Sequence, residues 1–137
     1  MGKESLSNVR NWLIKAKHDL LTAKKLSKGE ECYLDTAIYH CQQAAEKAVK
    51  GYLILKDHRP EKTHDLQALV VKACKTDEIF SNCLDAAELL TPYATEYRYP
   101  GEFMEPEQWD FDDALDAAES LYNPAPSFFL VSSSLIL

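Results

Sequence analysis

Hydrophobic residues recur along the chain at a spacing that predicts α-helices. Between residues 34 and 57 they are separated by three or four positions, which places them on one helix face. The members of this face are Ile38, Cys41, Ala45, Ala48, Tyr52 and Leu55. Small side chains are common among them, so a neighbouring helix can approach this face closely.

The same periodicity predicts four further helices. We expect a first helix from Ser5 or Ser7 to Gly29, a short third helix capped by Thr63, a fourth from Asp77 and a last one from Pro106. β-branched residues are few and neither Asn-Gly nor Asp-Gly occurs, so strands are not indicated. The predicted fold class is all-α: an antiparallel up-and-down helical bundle of four long helices and one short helix.

The chain is predicted to form one helical domain over residues 1–122, followed by a distinct tail. Pro124 and Pro126 end the last helix, and the hydrophobic residues beyond them have no helical period. We expect residues 123–137 to be disordered, docked on a partner or foreign to the domain. The tail is too short to cross a bilayer and the N-terminus lacks a signal peptide, which predicts a cytoplasmic protein without membrane contact.

Charge is distributed unevenly along the chain, whose formal net charge is -7. Residues 1–62 carry twelve Lys or Arg and eight Asp or Glu, whereas residues 63–137 carry three and fourteen. The basic first half and the acidic second half can attract each other, a second copy of the chain or a charged partner. The acidic total argues against nucleic-acid binding driven by charge alone, although a local basic patch can still hold a nucleotide.

Neither the cysteines nor the acidic residues indicate a metal site. Cys32, Cys41, Cys74 and Cys83 include no Cys-x-x-Cys pair and have no His at a metal-binding spacing. Neighbouring carboxylates of the last helix, such as those at positions 112 and 113, point in different directions on a helix. We therefore expect no metal and no required cofactor, with a nucleotide as a candidate ligand.

A polar row lies beside the apolar face of the second helix. It contains His40, Gln43, Lys47 and Lys50, which are spaced at helical intervals. His40 and Lys47 are candidate ligand-binding residues, but the favoured interpretation of the row is a solvated face. In that interpretation Glu46 and Lys50 form a solvated ion pair, one helical turn apart, that stabilises the helix by about 0.2–0.5 kcal/mol.

Three further residues are candidates for ligand binding: His64, Arg98 and Tyr99. His64 lies near the start of the third helix, where it can act as a neutral acceptor or general base, or can simply close the loop. Arg98 can hold a phosphate while a flanking ring such as Tyr99 stacks on a base. The alternative for Arg98 is an ion pair with Glu96 or Glu102.

Three segments together resemble one known family. The run HCQQAAEKAVK at residues 40–50, KTHDL at 62–66 and YRYP at 97–100 resemble, in this order, the HEPN domain (higher eukaryotes and prokaryotes nucleotide-binding). The resemblance covers roughly residues 5–122. It implies a helical bundle that forms homodimers and binds a nucleotide or nucleic acid, in a prokaryotic, toxin–antitoxin-like setting with a small nucleotidyltransferase as partner.

The resemblance also implies an alternative function, because some HEPN branches are metal-independent ribonucleases with an Arg followed four to six residues later by His. Here Arg98 has no such His after it. In a ribonuclease of this kind, Arg98 would hold the phosphate and His64 or His40 would act as base. Arg59 and His64 have the Arg–His spacing of these ribonucleases. They lie between two predicted helices, however, so we interpret the match as a coincidence. A binding subunit without catalysis is therefore the favoured hypothesis.

A dimer is also expected from the aromatic residues. Trp12, Tyr39, Phe80 and Tyr93 fall outside the main apolar stripes, and some of them should form an exposed patch of the kind that marks an interface. Trp109 is instead predicted on the apolar face of the last helix.

Overall fold

A computed structural model describes residues 3–101 and 105–124 of the chain, and these contain helices and no strand. The five α-helices are α1 (Lys3–Leu26), α2 (Leu34–Leu55), α3 (Leu66–Cys74), α4 (Leu84–Leu90) and α5 (Gln108–Tyr122). Two 3-10 segments flank α4, at Glu78–Cys83 and Thr91–Ala94. The all-α bundle is therefore confirmed, and most of the predicted tail lies outside the described residues.

The helix α2 is the centre of the bundle. It packs along α1 on one side and against α5 and α3 on others, and 15 of its 22 residues are buried. The predicted apolar face is confirmed, since Ile38, Cys41, Ala45 and Ala48 have no exposed surface. Burial raises the pKa of the Cys41 thiol to about 12, with a smaller contribution from Glu119. Cys41 is therefore an inert thiol inside the core.

A glycine allows α1 and α2 to approach each other closely. A Cβ added at Gly51 would lie 3.1 Å from the Cβ of Trp12 and 3.6 Å from a methyl group of Leu13. The Cβ of Trp12 is fixed to the α1 backbone, so it cannot move aside as the end of a flexible side chain can. Gly51 therefore sets the spacing between the two longest helices.

The predicted fourth helix is divided into three consecutive segments. Asp77 begins it as expected, but its carboxylate accepts the backbone N–H of Ile79 and caps a 3-10 segment. The 3-10 turn holds three residues, so side chains rotate relative to an α-helix. This rotation places Phe80 inside the core, 4.5 Å from the Tyr52 ring centroid. Phe80 is therefore not among the aromatic residues that could form the expected exposed patch.

Several predicted helix starts are corrected by the capping contacts. Asp65 rather than Thr63 caps α3, because its carboxylate accepts a backbone N–H of the first turn. The last helix α5 begins at Gln108 rather than at Pro106, because Glu107 is its cap, in a reciprocal capping box with Asp110. At the N-terminus, α1 begins at Lys3, slightly before the predicted serine caps.

The predicted core position of Trp109 is also wrong. Its side chain is 67% exposed, and Phe111 takes the buried aromatic position in α5. With Glu107 as the cap, Trp109 lies in the first turn on the outer side of the helix. No helix within residues 3–101 and 105–124 has the length and apolar character that crossing a bilayer requires.

We predict that Gly51→Leu lowers the free energy of unfolding by about 1–3 kcal/mol, because the new side chain overpacks the contact with Trp12. Urea unfolding followed by helical circular dichroism measures this. Lys25→Leu, at an exposed position of α1, is the matched control and should change stability by less than about 0.5 kcal/mol. Equal effects of the two substitutions would show that the helices are not closely packed at Gly51.

Candidate functional site

A narrow strip of α2 remains accessible. Beyond the first turn of the helix, the residues that are not buried are Tyr39, His40, Gln43 and Lys47. We call these four residues the polar strip. The strip contains three members of the predicted polar row, but the fourth, Lys50, is only 6% exposed. The expectation that Lys50 is a solvated lysine is therefore wrong.

Two candidate residues of the polar strip bind one carboxylate from α1. His40 Nδ1 lies 2.8 Å from Asp19 Oδ1, and Lys47 Nζ donates to Asp19 Oδ2 at 2.6 Å. Asp19 is 8% exposed, so its charge is balanced within the bundle. The role of Asp19 was not predicted from the sequence. Its signal was an acidic residue within the apolar stripe of α1, three residues after Ala16 and four before Ala23.

A second carboxylate, Glu46, lies deeper and organises another cluster. Lys50 Nζ and Gln42 Nε2 each donate to it at 3.1 Å, and His64 Nδ1 lies 3.0 and 3.2 Å from its two oxygens. Glu46, Lys50 and Gln42 are all buried. The His64 side chain is 67% exposed, so it lies over the buried ion pair at the surface. His64 thus closes the loop after α2 onto that helix.

A hydrogen-bonded chain joins the polar strip to this buried cluster. Gln43 Nε2 donates to Gln42 Oε1 at 2.7 Å, and Gln42 in turn donates to Glu46. Among the described residues, every buried side-chain nitrogen or oxygen has a hydrogen-bond partner. The polar interior of α2 is therefore satisfied, and its side chains are held in defined positions.

Arg98 lies against the other end of the polar strip. The central carbon of its guanidinium is 4.6 Å from the ring centroid of Tyr39 and 5.3 Å from that of Tyr99. Its Nη1 donates to the backbone oxygen of Ala94 at 3.3 Å. Within the described ranges Arg98 forms no ion pair, including with Glu96, and Glu102 lies outside those ranges. The guanidinium is thus held by stacking, with donors left for a ligand.

A cavity of about 200 Å³, which we call the Arg98 cavity, opens beside Arg98. It is lined by Asp35, Thr36, Tyr39, Tyr97 and Arg98. Tyr97 has a φ of 67°, in the left-handed region that non-glycine residues seldom adopt. Burial raises the pKa of Tyr97, and nearby acidic groups, chiefly Asp110, raise it further. The cavity therefore combines one cation with neutral phenol groups and a carboxylate.

The structure does not bring His64 and Arg98 together within one chain. His64 contacts Glu46, whereas Arg98 stacks on Tyr39, seven residues earlier in α2. Seven residues correspond to about 10 Å along a helix. His40 is closer to the Arg98 cavity, since its ring lies edge-on to Tyr39 with centroids 5.6 Å apart. Within the described residues, no three metal-ligating side chains converge.

The bundle and its polar strip identify the chain as a small all-helical domain whose second helix carries charged side chains. The chain belongs to the HEPN domain family, whose model matches residues 9–127. The crystal structure of TT1696 from Thermus thermophilus is similar, with a TM-score of 0.73 and 26% sequence identity over 87% of this chain and 96% of that one. The crystal structure of ST0689, an archaeal HEPN homologue, gives a TM-score of 0.70 and 26% identity over 88% and 97%. No curated protein matches the chain.

We predict that Glu46→Leu lowers the free energy of unfolding by about 3–5 kcal/mol, because Lys50 then stays buried without its carboxylate. The double variant Glu46→Leu/Lys50→Leu should lose much less than the sum of its single variants, since it leaves no unpaired charge. Urea unfolding of all four proteins gives the coupling energy.

The control is the half-exposed pair of Glu61 and Lys72. The same double-leucine cycle there should give a coupling below about 1 kcal/mol. Additive losses at Glu46 and Lys50 would mean that the two charges do not depend on each other.

Proposed function

We propose that this chain is a HEPN-type binding subunit that holds a nucleotide or a nucleic-acid end, acts as a homodimer and serves a small nucleotidyltransferase. The observation that carries the proposal is Arg98, held on the Tyr39 ring beside an open cavity. Membership of the HEPN family supports the same class of ligand.

The residues of the Arg98 cavity suit different parts of a nucleotide. A guanidinium binds two phosphate oxygens at once, and stacking on Tyr39 fixes the plane in which its N–H groups point. Tyr99 does not line the cavity, but its ring centroid lies 5.3 Å from the central carbon of the Arg98 guanidinium. The residue is 63% exposed, so its ring is available to stack on a base. The Asp35 carboxylate repels phosphate but accepts hydrogen bonds, which favours a sugar hydroxyl or base amino group at that end of the cavity.

Recognition without catalysis is the function that this geometry supports best. One of the two bases proposed for a ribonuclease, His64, contacts Glu46, which lies about 10 Å along α2 from the Tyr39 contact. In the proposed role, this chain positions the nucleotide or nucleic acid, and the nucleotidyltransferase makes or breaks the bond.

One observation favours a metal-independent ribonuclease as the second candidate. His40 lies beside Tyr39, and Asp19 holds its Nδ1 in the manner of a carboxylate that orients a general base. In that mechanism Arg98 would stabilise the scissile phosphate, and His40 of the same or the second subunit would remove the 2′-hydroxyl proton.

We predict that Arg98→Ala weakens binding of a short single-stranded RNA by roughly 10- to 100-fold, because a charge-assisted contact to phosphate is lost. Arg98→Lys should restore only part of the affinity, since lysine has no planar fork. Thermal shift with increasing ligand gives the affinities. Lys75→Ala removes the same charge from an exposed site and is the control. Equal binding by the Arg98→Ala and wild-type proteins would exclude this cavity.

Incubation with RNA in the presence of a metal chelator separates the two candidate functions. The binding subunit should leave the RNA intact. Cleavage that disappears in both Arg98→Ala and His40→Ala would establish the ribonuclease instead. Cleavage that persists in both variants would indicate a contaminating nuclease or a different active site.

The dimer and the partner are tested separately from ligand binding. Light scattering at micromolar concentration should give twice the 15.5 kDa mass of the chain. A monomer mass would contradict the proposed homodimer. Co-expression with a small nucleotidyltransferase encoded beside this chain should give a complex that survives size-exclusion chromatography, and separate elution would contradict the partnership.

A further inference from the structure

A second cavity lies at the opposite end of the polar strip, between α1 and α2. Its volume is about 240 Å³, and it is lined by Asn8, Asn11, Trp12, Lys15 and Lys47. It shares no residue with the Arg98 cavity. We call it the Trp12 cavity.

Trp12 forms the aromatic wall of this cavity and packs against the core of the bundle. The buried Lys50 places its Nζ 5.8 Å from the centroid of the indole ring, and Lys50 is itself fixed by Glu46. Gly51 lies close behind, since a Cβ there would be 3.1 Å from the Cβ of Trp12. A ring that is already ordered loses little conformational freedom when a flat ligand stacks on it.

Two lysines flank the indole, and they differ in their partners. Lys47 is fixed by Asp19 at 2.6 Å. Lys15 is exposed and forms no ion pair within the described part of the chain. One lysine is therefore positioned in advance, while the other can move to neutralise an anion. Asn8 and Asn11 are exposed at the same cavity, and their amides offer both donors and acceptors.

The chemistry of these residues selects a flat aromatic ligand that carries an anionic group. An indole provides stacking surface for a base, ammonium groups bind phosphate, and amides pair with the polar edge of a base. The cavity volume lies below the range of roughly 300–1,000 Å³ that is typical for drug-sized ligands. It therefore suits one nucleotide unit rather than two.

We propose that the Trp12 cavity binds one nucleoside monophosphate unit, with its base on Trp12 and its phosphate between Lys15 and Lys47. This inference deepens the proposed function, because it adds a second nucleotide subsite on the same helix. Lys47 follows Tyr39 by eight residues, or about 12 Å along α2. A short single strand can thus occupy the Arg98 cavity and the Trp12 cavity together, which makes single-stranded nucleic acid the ligand class.

Fluorescence can observe this subsite directly. The chain contains two tryptophans, so Trp109→Phe leaves Trp12 as the single reporter. Titration of that variant with AMP should quench Trp12 fluorescence to saturation. Adenosine should bind at least about three-fold more weakly because it lacks the phosphate, and inorganic phosphate should not quench. Absence of quenching by AMP at millimolar concentration would overturn the proposal.

Surface variants of α1 test the role of the lysine without altering the core. In the Trp109→Phe background, Lys15→Ala should weaken the AMP titration by roughly three- to ten-fold. Lys17→Ala removes another exposed lysine of α1, which does not line the cavity, and should leave the titration unchanged. Equal effects of the two variants on AMP affinity would show that only the net charge of the surface matters. That result would overturn the assignment of the phosphate to Lys15.

The Arg98→Ala substitution separates this inference from the function on which it rests. If the Trp12 cavity is a subsite of its own, AMP still quenches Trp12 in the Arg98→Ala/Trp109→Phe variant with an affinity within about two-fold. If quenching disappears with Arg98, the Trp12 cavity is not a subsite, although the proposed function stands. If quenching persists while Arg98→Ala leaves RNA binding unchanged, the proposal that the Arg98 cavity binds the ligand is wrong. The proposal that the Trp12 cavity binds a nucleotide is then still supported.

Discussion

The buried ion pair between Glu46 and Lys50 is the constraint on which the rest of the structure depends. Two charges removed from water need compensating contacts, and they obtain these from three parts of the fold. Gln42 bonds to the carboxylate from within α2, His64 reaches it from the following loop, and the Trp12 ring lies against Lys50 from α1. Satisfying this pair therefore fixes α1 and the loop after α2 relative to the helix.

The two cavities follow from that arrangement. Because most of α2 is buried, its first turn and the polar strip are the parts of the helix that a ligand can reach. One end of the strip meets Arg98, which enters from the segment after the second 3-10 turn, and the other meets α1 at Trp12. Both cavities combine an aromatic ring with a cation, so the same helix presents similar chemistry at two places.

The sequence was sufficient for the fold but only in part for the site. Helical periodicity is a local property, so the five helical regions, the apolar face of α2 and the HEPN motifs could be recognised from the chain alone. The partners of the candidate residues could not, because Asp19 meets His40 and Lys47 only after α1 has packed on α2. For the same reason, Lys50 looked like a solvated residue until its contacts with Glu46 and Trp12 were known. Phe80 and Trp109 were misplaced because a 3-10 segment and a helix cap changed the rotation of their side chains.

The close contact at Gly51 has a consequence for how the Trp12 cavity can change. Gly51 does not line the cavity, yet it supports the wall from behind at a distance that leaves no room for even one methyl group without movement. A substitution there would press on the Cβ of Trp12 and so displace α1, with the indole that it carries, relative to α2, while every lining residue keeps its identity. The shape of the cavity can therefore be tuned from a position that no ligand touches.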